Sequence, residues 1–136
     1  MLDLANMTPQ EVRALIGKNE INKPTSGMCK GHIQANLVIV PKKLAYDFLL
    51  FAQRNPKSCP ILDVTDVGSS EPRLMAKGAD LKSDVPKYRI YEFGELVAEV
   101  SDLTDYWRED LVCFLLGCSF SFESAMLNAS IPVRHI

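Results

Sequence analysis

The chain has 136 residues, of which 47% are hydrophobic and 24% charged, and its formal net charge is -2. These values are typical of one globular domain with a core. The sequence has no Lys/Arg run and no apolar run long enough to span a membrane, so neither nucleic acid nor a membrane is an expected partner. The first residues, Met1 to Leu4, carry an acid where a signal peptide carries basic residues, so we predict a cytoplasmic protein.

The first half of the chain predicts two helices and a strand. Thr8-Pro9-Gln10-Glu11 is a capping box that should start a helix ending at Gly17. Residues 18–32 are polar and rich in turn-forming residues, which predicts an ordered loop. The apolar run from Asn36 to Val40 predicts a buried strand, and a helix should follow from Pro41 to about Arg54.

The second half predicts a second strand and a hairpin. Ile61 to Thr65 is another short apolar run. Arg73 to Ala76 is expected to be a short strand or an extended stretch. Tyr88–Tyr91 and Leu96–Val100 flank Phe93-Gly94-Glu95, which is typical of a β-hairpin.

Two further helices are predicted near the end of the chain. Thr104 can cap a third helix over Asp105–Leu116, which Gly117 would end. A fourth helix is expected over Ser121–Ala129. The elements together predict a single α/β domain, of mixed α+β type, over residues 1–136, with a mixed β-sheet, flanking helices and a hairpin.

The four cysteines are Cys29, Cys59, Cys113 and Cys118, and none forms a Cys-x-x-Cys pair. This scatter favours reduced thiols over a disulfide framework. Cys113 lies in an apolar run and is expected to be a core residue. Cys29-Lys30-Gly31-His32 has metal-like spacing but lacks a second matching pair, so no cofactor is predicted, although a divalent metal remains possible.

The segment from Gly117 to Ser124 combines a thiol, hydroxyls and a carboxylate at the expected junction of two helices. A helix that starts there would present unpaired N–H groups and a positive dipole end to an anion. Cys118 could be an activated thiol or a small core residue. Ser119 and Ser121 could bind a ligand or only cap the helix, and Glu123 could move a proton or only favour the dipole.

Other polar residues could contribute to a binding site. Thr25 and Ser26 precede a glycine in the loop, where they could contact a ligand or satisfy a local turn. Gln34 and Asn36 share one face of the strand entry and could bind a ligand or cap the sheet edge. Arg134 and His135 could together hold a carboxylate and shuttle a proton, or simply be solvated: these alternatives stay open on pattern alone.

Five blocks in one order carry a family resemblance: Pro24-Thr25-Ser26-Gly27, Gln34-Ala35-Asn36-Leu37, Phe51 to Lys57, Gly117 to Glu123, and Pro132-Val133-Arg134-His135-Ile136. This set resembles the "putative hydro-lyase" family, the YcsI-like proteins, to which the D-glutamate cyclase domain is similar. The stretch Met28-Cys29-Lys30 departs from the more apolar family pattern, which makes Cys29 a poor candidate for shared chemistry.

The resemblance implies a mixed α/β fold and a chain that is the N-terminal part of a larger protein. It implies a hydro-lyase, with cyclisation of D-glutamate to 5-oxo-D-proline as the best example. We hypothesise that Ser119, Ser121 and Arg134 bind carboxylate while Glu123 or His135 moves protons. Cys118 could instead act as a nucleophile.

Two other classes of function stay open. One is a non-catalytic domain that binds a small carboxylate, and the other is a metal-dependent lyase that uses His32, Cys29 or His135. The expected partner is a small carboxylate or amino-acid substrate. We expect no nucleic acid and no membrane, and a homo-oligomer is possible.

Overall fold

The computed structural model describes residues 3–21, 23, 28–29 and 35–117. Its helices and strands are α1 (Pro9–Gly17), β1 (Ala35–Pro41), α2 (Lys42–Arg54), β2 (Ile61–Val64), β3 (Tyr88–Glu92), β4 (Glu95–Val100) and β5 (Leu111–Gly117). Short 3-10 turns occupy Leu4–Asn6 and Thr104–Tyr106. These elements confirm the predicted α/β class. Within the described ranges, no helix has the length and apolarity needed to cross a membrane.

The main sheet has the strand order β1-β5-β2, and β5 pairs antiparallel with both neighbours. β1 and β2 therefore run parallel to each other, and α2 connects them. The Phe48 ring of α2 lies edge-on to the Phe114 ring of β5, with 4.7 Å between the ring centroids. The arrangement is a β-α-β unit into which a later strand has been inserted.

The beginning of the chain folds as the capping box predicts. The Thr8 hydroxyl accepts a hydrogen bond of 3.2 Å from the backbone N–H of Glu11, and Pro9 is the first helical residue. Val12 and Ile16 are buried against Ile21 and against the described residues Met28 and Cys29. Because this cluster does not belong to the sheet, α1 has a small core of its own.

The predicted strands β1 and β2 and the helix α2 are confirmed, with small shifts at their ends. Pro41 is the last residue of β1 and the N-cap of α2, so the helix begins one residue later than predicted. Its extended backbone, with φ -63° and ψ 152°, suits that boundary position. Arg73 to Ala76 forms bends and not the short strand that was one of the two expectations.

The predicted third helix over Asp105–Leu116 is wrong, because Leu111–Gly117 forms the central strand of the sheet. Every residue from Leu111 to Leu116 is buried, and Cys113 is 0% exposed, as its prediction as a core residue requires. A run that is apolar on all sides suits a strand covered on both faces, and periodicity alone does not distinguish it from a buried helix. Gly117 therefore ends a strand and not a helix. The predicted fourth helix, over Ser121–Ala129, lies outside the described residues.

Both faces of the sheet are covered. On one face, Val112, Phe114 and Leu116 pack against residues of β1, β2 and α2. On the other face, Cys113 and Leu115 pack with Leu81 and with the partly buried Trp107. The burial of β5 on both faces follows from its central position.

The predicted hairpin is confirmed as β3 and β4, which pair antiparallel from Tyr88 and Val100 to Glu92 and Glu95. Phe93 and Gly94 connect the strands with φ values of 51° and 82°. Positive φ at both positions defines a type I′ turn. Glu95, which was predicted in the turn, begins β4.

The loop after β2 depends on Gly68. Its N–H donates a hydrogen bond of 2.8 Å to the carbonyl of Leu111, and its carbonyl accepts one of 3.3 Å from the indole N–H of Trp107. Its φ is 80°, and a Cβ at this position would lie 2.7 Å from the carbonyl oxygen of Glu109. Glycine is therefore required here for both conformation and space.

We expect Gly68→Ala to lower the free energy of unfolding by about 3 kcal/mol, because it adds a steric overlap to the strain of a left-handed backbone. Gly78→Ala is the matched control, since Gly78 has a φ of 84° but no atom within 4 Å of the added Cβ. The control should lose only about 1 kcal/mol. Urea unfolding measures both values, and equal losses would show that the approach to Glu109 contributes nothing.

Candidate functional site

The starts of β1 and β2 and the end of β5 meet at one edge of the sheet. Ala35 is paired with Gly117, and Leu116 is paired with both Asn36 and Ile61. The Gly117 N–H also donates a hydrogen bond of 2.9 Å to the carbonyl of Pro60. We call this region, formed by Ala35, Asn36, Pro60, Ile61, Leu116 and Gly117, the Gly117 edge.

The end of α2 is joined to the same edge by a short series of hydrogen bonds. The Asn55 side chain donates a hydrogen bond of 2.7 Å to the carbonyl of Phe51, and this bond closes the last turn of the helix. The N–H of Cys59 then donates a hydrogen bond of 2.8 Å to the carbonyl of Asn55. The residue after Cys59 is Pro60, which belongs to the Gly117 edge. The segment from Phe51 to Lys57 therefore ends beside the Gly117 edge.

Three of the five blocks that carry the family resemblance meet there. Gln34–Leu37 runs into β1, Phe51–Lys57 ends α2, and Gly117 opens the block that continues to Glu123. These blocks are far apart in sequence, and the register of β5 brings them together. This convergence does not follow from the predicted elements, because they place Leu111–Leu116 in a helix.

Asn36 is the one predicted catalytic or substrate-binding residue that falls within the described ranges. Of the alternative metal site, Cys29 is described and His32 lies outside those ranges. It is exposed, and it alternates with Leu37 so that it lies on the α2 face of the sheet. Its carboxamide offers a donor and an acceptor at the Gly117 edge. The other predicted residues lie outside the described ranges, and their roles stay predictions: Thr25, Ser26, Gln34, Cys118, Ser119, Ser121, Glu123, Arg134 and His135.

Cys29 belongs to the α1 core, since it is 7% exposed and packs with Val12 and Ile16. Burial raises the pKa of its thiol, against a smaller lowering by the Arg13 charge, so the thiol is protonated at neutral pH. A protonated, buried thiol is a poor metal ligand. Within the described ranges, no three His, Cys, Asp or Glu side chains are grouped so that they could hold a metal ion.

A buried carboxylate that was not among the predicted site residues is that of Asp63 in β2, which is 4% exposed. One oxygen accepts a hydrogen bond of 2.8 Å from the N–H of Val64, and the other accepts bonds of 2.8 and 3.0 Å from the N–H groups of Leu74 and Met75. Burial alone would raise the pKa of Asp63, but these N–H groups and that of Arg73 lower it below its usual value. The group is therefore ionised at neutral pH.

Asp63 borders an open groove of about 420 Å³ along β2, together with Ile61, Leu62, Val64, Arg73 and Leu74. The guanidinium of Arg73 contacts both carboxylate oxygens of the exposed Asp66, at 2.9 and 3.0 Å. Since backbone N–H groups occupy both oxygens of Asp63, its role is to hold the 73–75 loop against β2. A lone aspartate inside an apolar strand was the available signal, because such residues are buried only when paired.

We expect Asp63→Asn to lower the free energy of unfolding at pH 7 by about 3 kcal/mol, because its amide group would face backbone donors. The folded pKa lies below the unfolded value of about 3.9. The contribution is therefore fully present above that value and is lost as the pH falls through the folded pKa.

Urea unfolding at pH 7 and pH 3 tests this, and the difference between wild type and variant should shrink at pH 3. Asp47→Asn is the control, since Asp47 is exposed on α2. It should change stability by less than about 0.5 kcal/mol. A difference for Asp63→Asn that does not depend on pH would contradict an ionised anchor.

Known proteins resemble this chain in two ways. The D-glutamate cyclase family matches residues 112–136, of which residues 112–117 belong to β5. Curated relatives named "Putative hydro-lyase" match nearly the whole chain: the protein of Psychrobacter arcticus is 98% identical over 136 residues, and that of Thermoanaerobacter sp. strain X514 is 63% identical over 135 residues. "Putative hydro-lyase YcsI" of Bacillus subtilis is 60% identical over 130 residues.

The chain is similar to the D-glutamate cyclase family over residues 112–136. The chain belongs to the hydro-lyase family that includes YcsI, as the resemblance predicts. These matches cover 100%, 99% and 96% of this chain but only 52%, 51% and 51% of the three relatives. The chain thus spans about half the length of the curated relatives.

Proposed function

We propose that the full-length protein is a hydro-lyase that acts on a small carboxylic or amino acid, with cyclisation of D-glutamate as the best example. The D-glutamate cyclase match over residues 112–136 carries this proposal. The register of β5 supports it, because Gly117, which belongs to the matched segment, lies where two other family blocks meet.

Cyclisation of D-glutamate makes three chemical demands. The amine attacks the side-chain carboxyl group, and one water molecule leaves as 5-oxo-D-proline forms. The site must hold the α-carboxylate, take a proton from the ammonium group and give one to the departing oxygen. An arginine or oriented N–H and hydroxyl donors suit the first demand, and a carboxylate or histidine suits the proton transfers.

The residues of the family blocks can meet these demands. We assign carboxylate binding to Ser119, Ser121 and Arg134, and proton transfer to Glu123 or His135. Cys118 is an alternative nucleophile: its thiol would form a thioester with the side-chain carboxyl group as water leaves, and the substrate amine would then displace the thiol.

Four further residues are assigned to substrate binding. Asn36 would donate its amide N–H to a carboxylate from the start of β1, where its side chain is exposed. Thr25, Ser26 and Gln34 precede it in the chain and complete the proposed binding residues. The assignment needs no metal or organic cofactor.

We expect Glu123→Gln or His135→Ala to reduce turnover of D-glutamate by the full-length protein about 100-fold or more, because general acid–base groups contribute that much. Formation of 5-oxo-D-proline is measured by chiral chromatography. Glu20→Gln is the control, since Glu20 is exposed after α1 and should leave the rate unchanged. Full activity in both test variants would exclude these proton carriers. Tight binding without turnover by the unaltered protein would indicate a carboxylate-binding domain.

Asn36 offers a test within the described part of the site. We expect Asn36→Ala to raise KM several-fold with a smaller change in kcat, because the lost hydrogen bond binds substrate and transition state alike. Asn36→Asp should raise KM further, since it places a negative charge beside the substrate carboxylate. Both variants should fold, because the side chain is exposed. An Asn36→Asp protein with unchanged KM would place this side chain away from the substrate.

A further inference from the structure

The turn end of the β3–β4 hairpin exposes a group of large apolar side chains. Phe93 is 105% exposed, and Tyr91, Leu96 and Val97 are 58%, 52% and 50% exposed. Tyr91 and Leu96 are paired across the two strands next to the turn, and Val97 follows Leu96 at the register shift of the hairpin. We call these four residues the hairpin tip. Single exposed apolar residues are ordinary, but a cluster of this kind marks an interaction surface.

The backbone of the hairpin tip is also unfavourable for the residue it carries. Phe93 has a φ of 51°, in a type I′ turn whose first position favours asparagine, aspartate or glycine. A bulky side chain is strained in this region because its Cβ approaches the following carbonyl oxygen. The sequence thus keeps a large aromatic group at full exposure where a small polar residue would be more stable.

Repulsion between two like charges further destabilises the turn end of the hairpin. Glu92 and Glu95 are directly opposite each other at the base of the turn, and like charges in such a pair are destabilising. A two-stranded hairpin is marginally stable in water unless other parts of the protein cover it. Exposure, strain and repulsion therefore coincide at one place, which is expected of a surface that gains stability by docking.

We propose that the hairpin tip docks, in the full-length protein, into an apolar pocket of the half of the polypeptide that lies outside this chain. The relative that is 98% identical to this chain is about twice as long, because the chain covers 52% of it. A covalently tethered half is present at an effective concentration in the millimolar range, so it outcompetes a second copy. Glu92 and Glu95 indicate that basic side chains surround the pocket.

The substitution Phe93→Asn in the full-length protein tests this, because docking and exposure predict changes of opposite sign. If Phe93 is docked, loss of its buried ring should lower the urea concentration at the midpoint of unfolding. If Phe93 is exposed, asparagine should raise the midpoint, because it suits a type I′ turn better. A raised or unchanged midpoint would overturn the proposal.

Ala76→Asn is the matched control. Ala76 is exposed and has a φ of 50°, close to that of Phe93, but its side chain is a single methyl group. Asparagine there relieves the backbone without removing an aromatic group, so the midpoint should rise. A lowered midpoint for Phe93→Asn beside a raised one for Ala76→Asn therefore isolates the loss of the docked ring.

Concentration dependence separates the tethered half from a second copy. With intramolecular docking, the effect of Phe93→Asn should be the same at low and high protein concentration, and the mass in analytical ultracentrifugation should not change. An effect that disappears on dilution, or a variant of smaller mass, would identify a second copy as the occupant and overturn the proposal. Phe93→Leu should keep part of the lost stability, because it retains an apolar side chain.

Discussion

The position of β5 between β1 and β2 is the constraint on which this structure depends. β1 and β2 are parallel and do not pair with each other, so each of them forms its backbone hydrogen bonds in the sheet with β5. Thr65 extends this pairing beyond β2 with two hydrogen bonds to Cys113. The Thr65 N–H donates a hydrogen bond of 3.0 Å to the carbonyl of Cys113, and the Thr65 hydroxyl accepts one of 3.0 Å from the Cys113 N–H. A strand far along the chain thus completes a unit that begins at residue 35.

The register of β5 also links the core to the candidate site. A shift by one residue would exchange the two faces of the strand, so that Phe114 would leave the core beneath α2. The packing of Phe114 against Phe48 of α2 therefore favours the register in which Asn36 pairs with Leu116. The geometry of the Gly117 edge therefore follows from packing in the core, although the core side chains themselves are apolar and unreactive.

Much of the fold could be predicted from local signals. The capping box at Thr8 locates α1, short apolar runs locate β1 and β2, and the Phe93-Gly94 pair locates the hairpin. β5 could not be predicted in this way because it is apolar on both faces, and only its neighbours decide between strand and helix.

The candidate site was less predictable than the fold. Family blocks gave residue positions, but the meeting of three blocks depends on the pairing of β5 with β1 and β2. Asp63 was missed because its partners, the N–H groups of Leu74 and Met75, lie in a loop with no pattern of its own. Contacts of this kind depend on tertiary structure and leave little trace in a local sequence.

The buried titratable groups of the described residues each have a fixed protonation state near neutral pH. Asp63 is held ionised, whereas burial raises the pKa of Cys113 to about 11 and also raises that of Cys29. Burial likewise raises the pKa of Tyr88, whose hydroxyl donates a hydrogen bond of 2.6 Å to the carbonyl of Leu81. Each of these four groups therefore keeps one state near neutral pH and is unsuited to exchange protons with a substrate. None of the four therefore competes with Glu123 or His135, to which the proposed function assigns proton transfer.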